Sequence, residues 1–228
     1  FWNDYYLNKV RDPSNDCNRT LDVWTLHANF MKVMIEKVDR YPNVLGYELL
    51  NEPPVWKDED YQNLGNMHTE LAKKLRKVTD KTLIFTREIP FGKEPDGDPY
   101  QRQSNLQHKI LPKDPRDNVI YAPHIYTLKN LEKQVDQWKS LQKKWESMGY
   151  DVEIAVGEWA FQPPENTEDL TQEKINEFVK VWSKEGFMHA YWVFGCSRCG
   201  EGNVLVDEDG ILTDLGTFVK KSIIKHYD

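Results

Sequence analysis

Apolar positions along the chain fall into two spacings. From Leu21 to Arg40 they recur at Val23, Leu26, Phe30, Val33, Met34 and Val38, which predicts a helix. Tyr41-Pro42 stops it. Val44 to Leu50 is then a short apolar run that reads as a buried strand, closed by Asn51-Glu52 and two prolines that forbid it to continue. A second helix is expected from about Tyr61 to Val78, with Leu64, Met67, Leu71 and Leu75 on its inner face. Thr82 to Thr86 predicts the next strand. Residues 87–116, rich in Pro, Gly, Asp and Gln, read as a loop whose length goes with function or motion. Next come a strand at Asn118–Ala122, an amphipathic helix at Leu128–Met148 and a strand at Val152–Val156. A helix at Thr171–Lys184, an aromatic strand at His189–Phe194, a small hairpin around Asp209-Gly210 and a helix at Thr213–His226 complete the pattern.

Strands separated by helices predict an α/β fold with a parallel sheet built from right-handed crossovers. Five parallel strands are expected, in a single domain covering residues 1–228. The distinctive polar residues stand just past the C-terminal ends of these strands. That is the edge where barrel enzymes keep their chemistry.

Composition narrows the function classes. The 228 residues are enough to bury a substantial core. A net charge of −7 gives a nucleic-acid role no electrostatic support. No apolar run reaches membrane-spanning length. No charged-then-apolar leader is present and the chain starts Phe1-Trp2 without Met, so localisation is left open. Eight Trp and eleven Tyr fit either bulky packing or ring faces that stack on something flat, such as a sugar. Cys196 and Cys199 form a C-x-x-C and Cys17 stands apart. A local disulfide, two thiols and half a zinc site are the readings, the last lacking a second ligand pair. Glu201, Asp207 and Asp209 miss the spacing of a calcium loop. No metal or cofactor is expected. Asn18-Arg19-Thr20 is an acceptor sequon only in a secreted eukaryotic setting.

The chemistry rests on Glu52 and Glu158, each closing an apolar strand. Cleaving a glycosidic bond takes one carboxylic acid to protonate the departing oxygen and one carboxylate to attack carbon or activate water. Their separation is about 5 to 5.5 Å for retention of configuration and about 6.5 to 9.5 Å for inversion. Neighbouring residues suit such a site. Asn51 is placed to donate to a sugar hydroxyl. His124 and Tyr126, two apart at a strand exit, point the same way. Trp192 ends an aromatic strand as a stacking floor, and Trp56 and Trp159 are expected in the loops directly after the two glutamates. Packing is the plainer alternative for His124, Tyr126, Trp192, Trp56 and Trp159.

Leu49-Leu50-Asn51-Glu52-Pro53, His124-Ile125-Tyr126, Gly157-Glu158-Trp159 and Trp192, in that order, resemble glycoside hydrolase family 5, the retaining cellulase-like branch of the (β/α)8 barrels. Gly46-Tyr47-Glu48 ahead of them is similar to the endoglycoceramidase and endoglucanase-like members. The resemblance implies a retaining β-glycoside hydrolase acting on a β-linked oligosaccharide, polysaccharide or glycolipid. It implies Glu52 as acid/base, Glu158 as nucleophile, and Asn51, His124, Tyr126 and Trp192 as sugar contacts.

One departure is plain. In that family the Asn-Glu-Pro strand is the fourth of eight, and here it is the first of five. The Arg and His carried by the earlier strands have no counterpart upstream of Asn51. The expectation is therefore a truncated or partial (β/α)8 TIM barrel, either a C-terminal piece of a longer barrel or a naturally shortened one. Five strands leave sheet edges that self-association into a homo-oligomer, a companion fragment or added covering would hide. A catalytically impaired carbohydrate-binding remnant is the alternative function.

Overall fold

The computed structural model describes residues 2–11, 20–86, 89–90, 118–125, 131–160, 172–192, 195 and 204–227. Tyr126, the three cysteines, Glu201, Asn18 of the sequon and nearly all of the expected loop at 87–116 lie outside the described residues. The chain divides into two units, residues 1–121 with 139–153, and residues 122–138 with 154–228.

The first unit opens with α1 (Trp2–Tyr6) and α2 (Val23–Val38). The carboxylate of Asp22 accepts the Thr25 N–H at 3.0 Å, a side-chain cap that starts α2. Strand β1 (Gly46–Glu48) and the two-residue β2 (Pro54–Val55) lead into α3 (Asp58–Leu75). Strands β3 (Thr82–Thr86) and β4 (Ile89–Pro90) follow. Most of β5 (Val119–Ala122), the second half of α4 (Leu131–Ser147) and the start of β7 (Val152–Trp159) also belong to this unit. β1 lies parallel to β3 with Gly46 opposite Thr82, and β2 lies parallel to β4. A Cβ at Gly46 would stand 2.4 Å from the Thr82 carbonyl oxygen, so only glycine allows this pairing.

Leu64, Met67, Leu71 and Leu75 of α3 are all buried, as their spacing predicts. They share the core with Tyr47, Leu49, Leu83 and Phe85 of the strands and Ala28, Met31 and Ile35 of α2. Burial of one such aliphatic side chain is worth about 1.5–3 kcal/mol. His68 meets Phe85 edge-on at 4.8 Å, and Tyr121 meets Trp145 edge-on at 5.2 Å.

Two expectations need correction here. The apolar run 44–50 is not buried on both faces: Tyr47 and Leu49 are buried, while Leu45 is 57% exposed. The strand proper is three residues long, and its side chains alternate between core and surface. In α2, Leu26, Phe30, Val33 and Met34 are exposed, and the buried stripe is Val23, Ala28, Met31 and Ile35. This helix carries apolar side chains around most of its circumference, so spacing alone does not select the face that docks on α3.

The second unit holds β6 (His124–Ile125), the first half of α4, the rest of β7, α5 (Gln172–Glu185), β8 (Met188–Tyr191) and α6 (Asp214–Tyr227). β6 and β8 both pair with β7 in parallel. The core is aromatic: Trp138 stacks on Trp182 at 6.2 Å, Phe178 lies against Trp182 at 5.8 Å, and Trp159 against Phe178 at 5.4 Å. α6 is pinned to α5 by the Gln172 amide, which donates to the Phe218 carbonyl at 2.9 Å and to the Ser222 hydroxyl at 2.7 Å. The expected small hairpin around Asp209-Gly210 is present, closed by an antiparallel bridge between Val206 and Leu212. The Asp207 carboxylate accepts the Asp209 and Ile211 N–H groups, which gives Asp207 a turn-forming role. Among the described residues no helix is long and apolar enough to cross a membrane.

Candidate active site

The first unit carries Asn51, Glu52 and Trp56. After β1 the Leu49 N–H still bonds the Ile84 carbonyl at 3.1 Å, and then the chain turns. Glu52 sits at φ +45°, in the left-handed region that a non-glycine residue adopts at a cost of about 1–2 kcal/mol. The next residue is Pro53, which disfavours the right-handed helical conformation for Glu52, and neither Pro53 nor Pro54 offers an N–H to continue a ladder. The Thr86 hydroxyl at the end of β3 accepts the Glu52 N–H at 2.8 Å and donates to the Leu50 carbonyl at 2.8 Å. Beyond the prolines, the buried Asp60 carboxylate accepts the N–H groups of Trp56 and Lys57 at 2.8 and 3.1 Å and fixes the entry to α3. Asn51 is exposed, Glu52 is half-buried, and the Trp56 ring is 44% exposed.

The second unit carries His124, Glu158, Trp159 and Trp192. Gly157 donates to the Pro123 carbonyl at 3.0 Å, and Ala160 to the Ile125 carbonyl at 3.3 Å. This parallel ladder sets His124 directly opposite Glu158. Side chains opposite one another in register share a face. The His124 Nδ1 stands 3.4 Å from the Glu158 Oε2, with the two side chains 5% and 17% exposed. Gly157 makes the approach feasible, since a Cβ there would lie 2.9 Å from the Ala122 carbonyl oxygen and 3.2 Å from the His124 ring. The register of β7 against β8 shifts between Val156 and Trp159. Such a bulge re-aims the side chains beside it, and here the segment contains Glu158.

Two sequence expectations change in this unit. β7 runs past the expected end at Val156 to Trp159, so Trp159 belongs to the strand rather than to the loop after Glu158. Trp159 is fully buried, edge-on to Tyr191 at 4.9 Å, with its Nε1–H donated to His189 Nδ1 at 3.0 Å. A ring enclosed this way has no face to offer a sugar, so Trp159 is a core residue. Its carbonyl accepts the Trp192 N–H at 2.9 Å, and the Trp192 ring beyond is 43% exposed. Tyr126 lies outside the described residues.

Sequence reasoning missed Thr86 and Tyr6. Tyr6 is buried and donates its hydroxyl to the Pro54 carbonyl at 2.8 Å. Burial, and after it the charge of Asp60, pushes the Tyr6 phenol well above the ordinary tyrosine range, so it stays a donor. The one available signal was that Thr86 is the last residue of a predicted strand.

A family model described as cellulase (glycosyl hydrolase family 5) matches residues 12–197. Among curated proteins, the chain is 28% identical over 130 residues to an endoglycoceramidase from Cyanea nozakii, covering 47% of this chain and 25% of that protein. It is 28% identical over 155 residues to an endoglycoceramidase from Hydra vulgaris, covering 58% and 29%. The chain thus spans roughly a quarter of the length of these relatives. Among solved structures it is similar to a GH5-4 broad specificity endoglucanase from Clostridum cellulovorans, with a TM-score of 0.66, 13% identity, and coverage of 90% of this chain and 65% of that one. At that identity the likeness speaks for the fold, which is the expected partial (β/α)8 barrel with flanking helices.

Proposed function

This chain belongs to glycosyl hydrolase family 5, and from that premise we propose that it carries the two catalytic carboxylates of a retaining β-glycoside hydrolase. Glu52 is the acid/base and Glu158 the nucleophile. The observation that carries the reading is the placing of each glutamate within its own unit. Glu52 sits past the end of a parallel strand on a strained turn, and Glu158 at the end of another against a buried imidazole. Strained backbone and a half-buried carboxylate next to a histidine are features that catalytic groups favour.

In the first step Glu158 attacks the anomeric carbon while Glu52 gives its proton to the departing oxygen. In the second, Glu52 takes a proton from water, which displaces Glu158 from the sugar. This sequence requires the carboxyl groups to face each other at about 5 to 5.5 Å. His124 holds the nucleophile in position through the 3.4 Å contact. Asn51 donates to the hydroxyl next to the reacting carbon, Tyr126, two positions after His124 in the sequence, is assigned a further contact there, and the exposed Trp56 and Trp192 offer stacking faces. The relatives named above point to β-linked glucan or a glycolipid β-glycoside as substrate. Glu52→Gln and Glu158→Gln should each lower turnover of such substrates by about a hundredfold or more. Proton NMR of the released sugar should show the β anomer first. Sugar binding without hydrolysis by the parent chain, or unchanged turnover in either variant, refutes the proposal.

A further inference from the structure

Glu52 holds a backbone conformation that its own residue type disfavours, so something else must keep it there. Two sets of contacts in the same unit do so. From β3, the Thr86 hydroxyl spans the turn, accepting from the Glu52 N–H and donating to the Leu50 carbonyl, both at 2.8 Å. Thr86 is 1% exposed, so water does not substitute for either bond. From α1, the Tyr6 hydroxyl donates to the Pro54 carbonyl on the far side of Glu52. Next to Tyr6, the Tyr5 hydroxyl bonds His27 Nδ1, tying α1 to α2, and on the near side the Leu49 N–H bonds the Ile84 carbonyl at 3.1 Å. The turn is thus gripped at Leu49 and Leu50 before Glu52, at its own N–H, and at Pro54 after it.

We propose that Thr86, supported by Tyr6, is a positioning residue for the acid/base, fixing the direction in which the Glu52 carboxyl presents its proton. The inference rests on the reading of Glu52 as the acid. A hydroxyl is required at position 86, because only a group that donates and accepts at once closes both bonds. Valine has the same shape and does neither, and it removes the partner of the part-buried Leu50 carbonyl and Glu52 N–H. Serine keeps both functions.

A defect in proton delivery has a signature that general destabilisation lacks. It is large when the leaving group needs a proton and small when it does not. Thr86→Val, Thr86→Ser and Tyr6→Phe are compared with the parent chain on an alkyl or sugar β-glycoside and on a 2,4-dinitrophenyl β-glycoside. Thr86→Val should lose about thirtyfold or more in kcat/KM on the first and less than about threefold on the second. Thr86→Ser should stay within about threefold on both, and Tyr6→Phe should fall between. Equal losses on both substrates, or no recovery in Thr86→Ser, overturn the proposal. The readout that needs no turnover is amide hydrogen exchange. The Glu52 N–H should exchange at least about tenfold faster in Thr86→Val and at the parent rate in Thr86→Ser. Unchanged exchange in the valine variant overturns the grip itself. If Glu52→Gln leaves turnover intact, the assignment of the acid fails, whatever the exchange data say of the turn.

Discussion

His124 and Glu158 are register partners on adjacent parallel strands, and their side chains meet at 3.4 Å. With 17% of its side chain exposed, the Glu158 carboxylate has lost most of its contact with water, and the His124 imidazole stands beside it. His124→Ala should therefore lower kcat by about ten- to a hundredfold while KM changes little, because the contact holds the nucleophile rather than the sugar. The loss should appear in the step that forms the covalent intermediate, measured as the burst rate with an activated aryl glycoside. A change confined to KM would reassign His124 to sugar binding.

Gly157 is the narrowest point of this arrangement. A methyl group there would press on the Ala122 carbonyl at 2.9 Å, the Ala122 Cβ at 3.0 Å and the His124 ring at 3.2 Å. Two of these three belong to backbone or to a short side chain, so the strands must part. Gly157→Ala should cost about 1–3 kcal/mol in urea denaturation. Turnover should fall further than that loss explains, since the displaced strand carries Glu158. A variant with parent stability and parent turnover would show that the two strands tolerate a wider spacing.

Titration of histidine sets a lower pH bound on stability. His189 Nδ1 accepts the Trp159 N–H at 3.0 Å, so the folded state holds that nitrogen unprotonated. Burial lowers the His189 pKa below the usual value, and His27 shifts the same way, again through burial. Below about pH 6.5 the unfolded chain therefore takes up protons that the folded chain refuses, and stability falls as pH drops through that range. The thermal midpoint should decline from pH 7.5 to pH 5.5. His189→Gln, which keeps a neutral acceptor for Trp159, should flatten part of that slope. A midpoint that rises over the same interval would reverse the sign argued here.

How much of this was readable from the residues follows from the range of each interaction. The strands that end on Glu52 and Glu158 were legible because proline and glycine punctuate them locally. The inner face of α3 was legible because its four apolar residues leave polar neighbours elsewhere on the helix. Trp159 was misjudged because a register shift, invisible in a single strand, turns its ring into the core. Tyr6 and His27 left no local mark, and Thr86 only its place at the end of a predicted strand. They act on Glu52, Pro54 and Tyr5 across long sequence separations, and side-chain periodicity has nothing to say about such pairs.

The face of α2 offers the sharpest test of where stability resides. Ile35 is fully enclosed and Met31 is 8% exposed, whereas Phe30 is 64% and Leu26 55% exposed on the same helix. Ile35→Ala should cost about 2–5 kcal/mol, through lost burial and the cavity it leaves. Phe30→Lys should stay within about 0.5 kcal/mol, because the ring has already been left in water. Both are measured by urea denaturation of the purified chain at low concentration, where the midpoint changes with little change in slope. A cost at Phe30 that matches the cost at Ile35 would mean the outer stripe is covered in solution. The core drawn here around Ala28, Met31 and Ile35 would then be only half of what holds α2 in place.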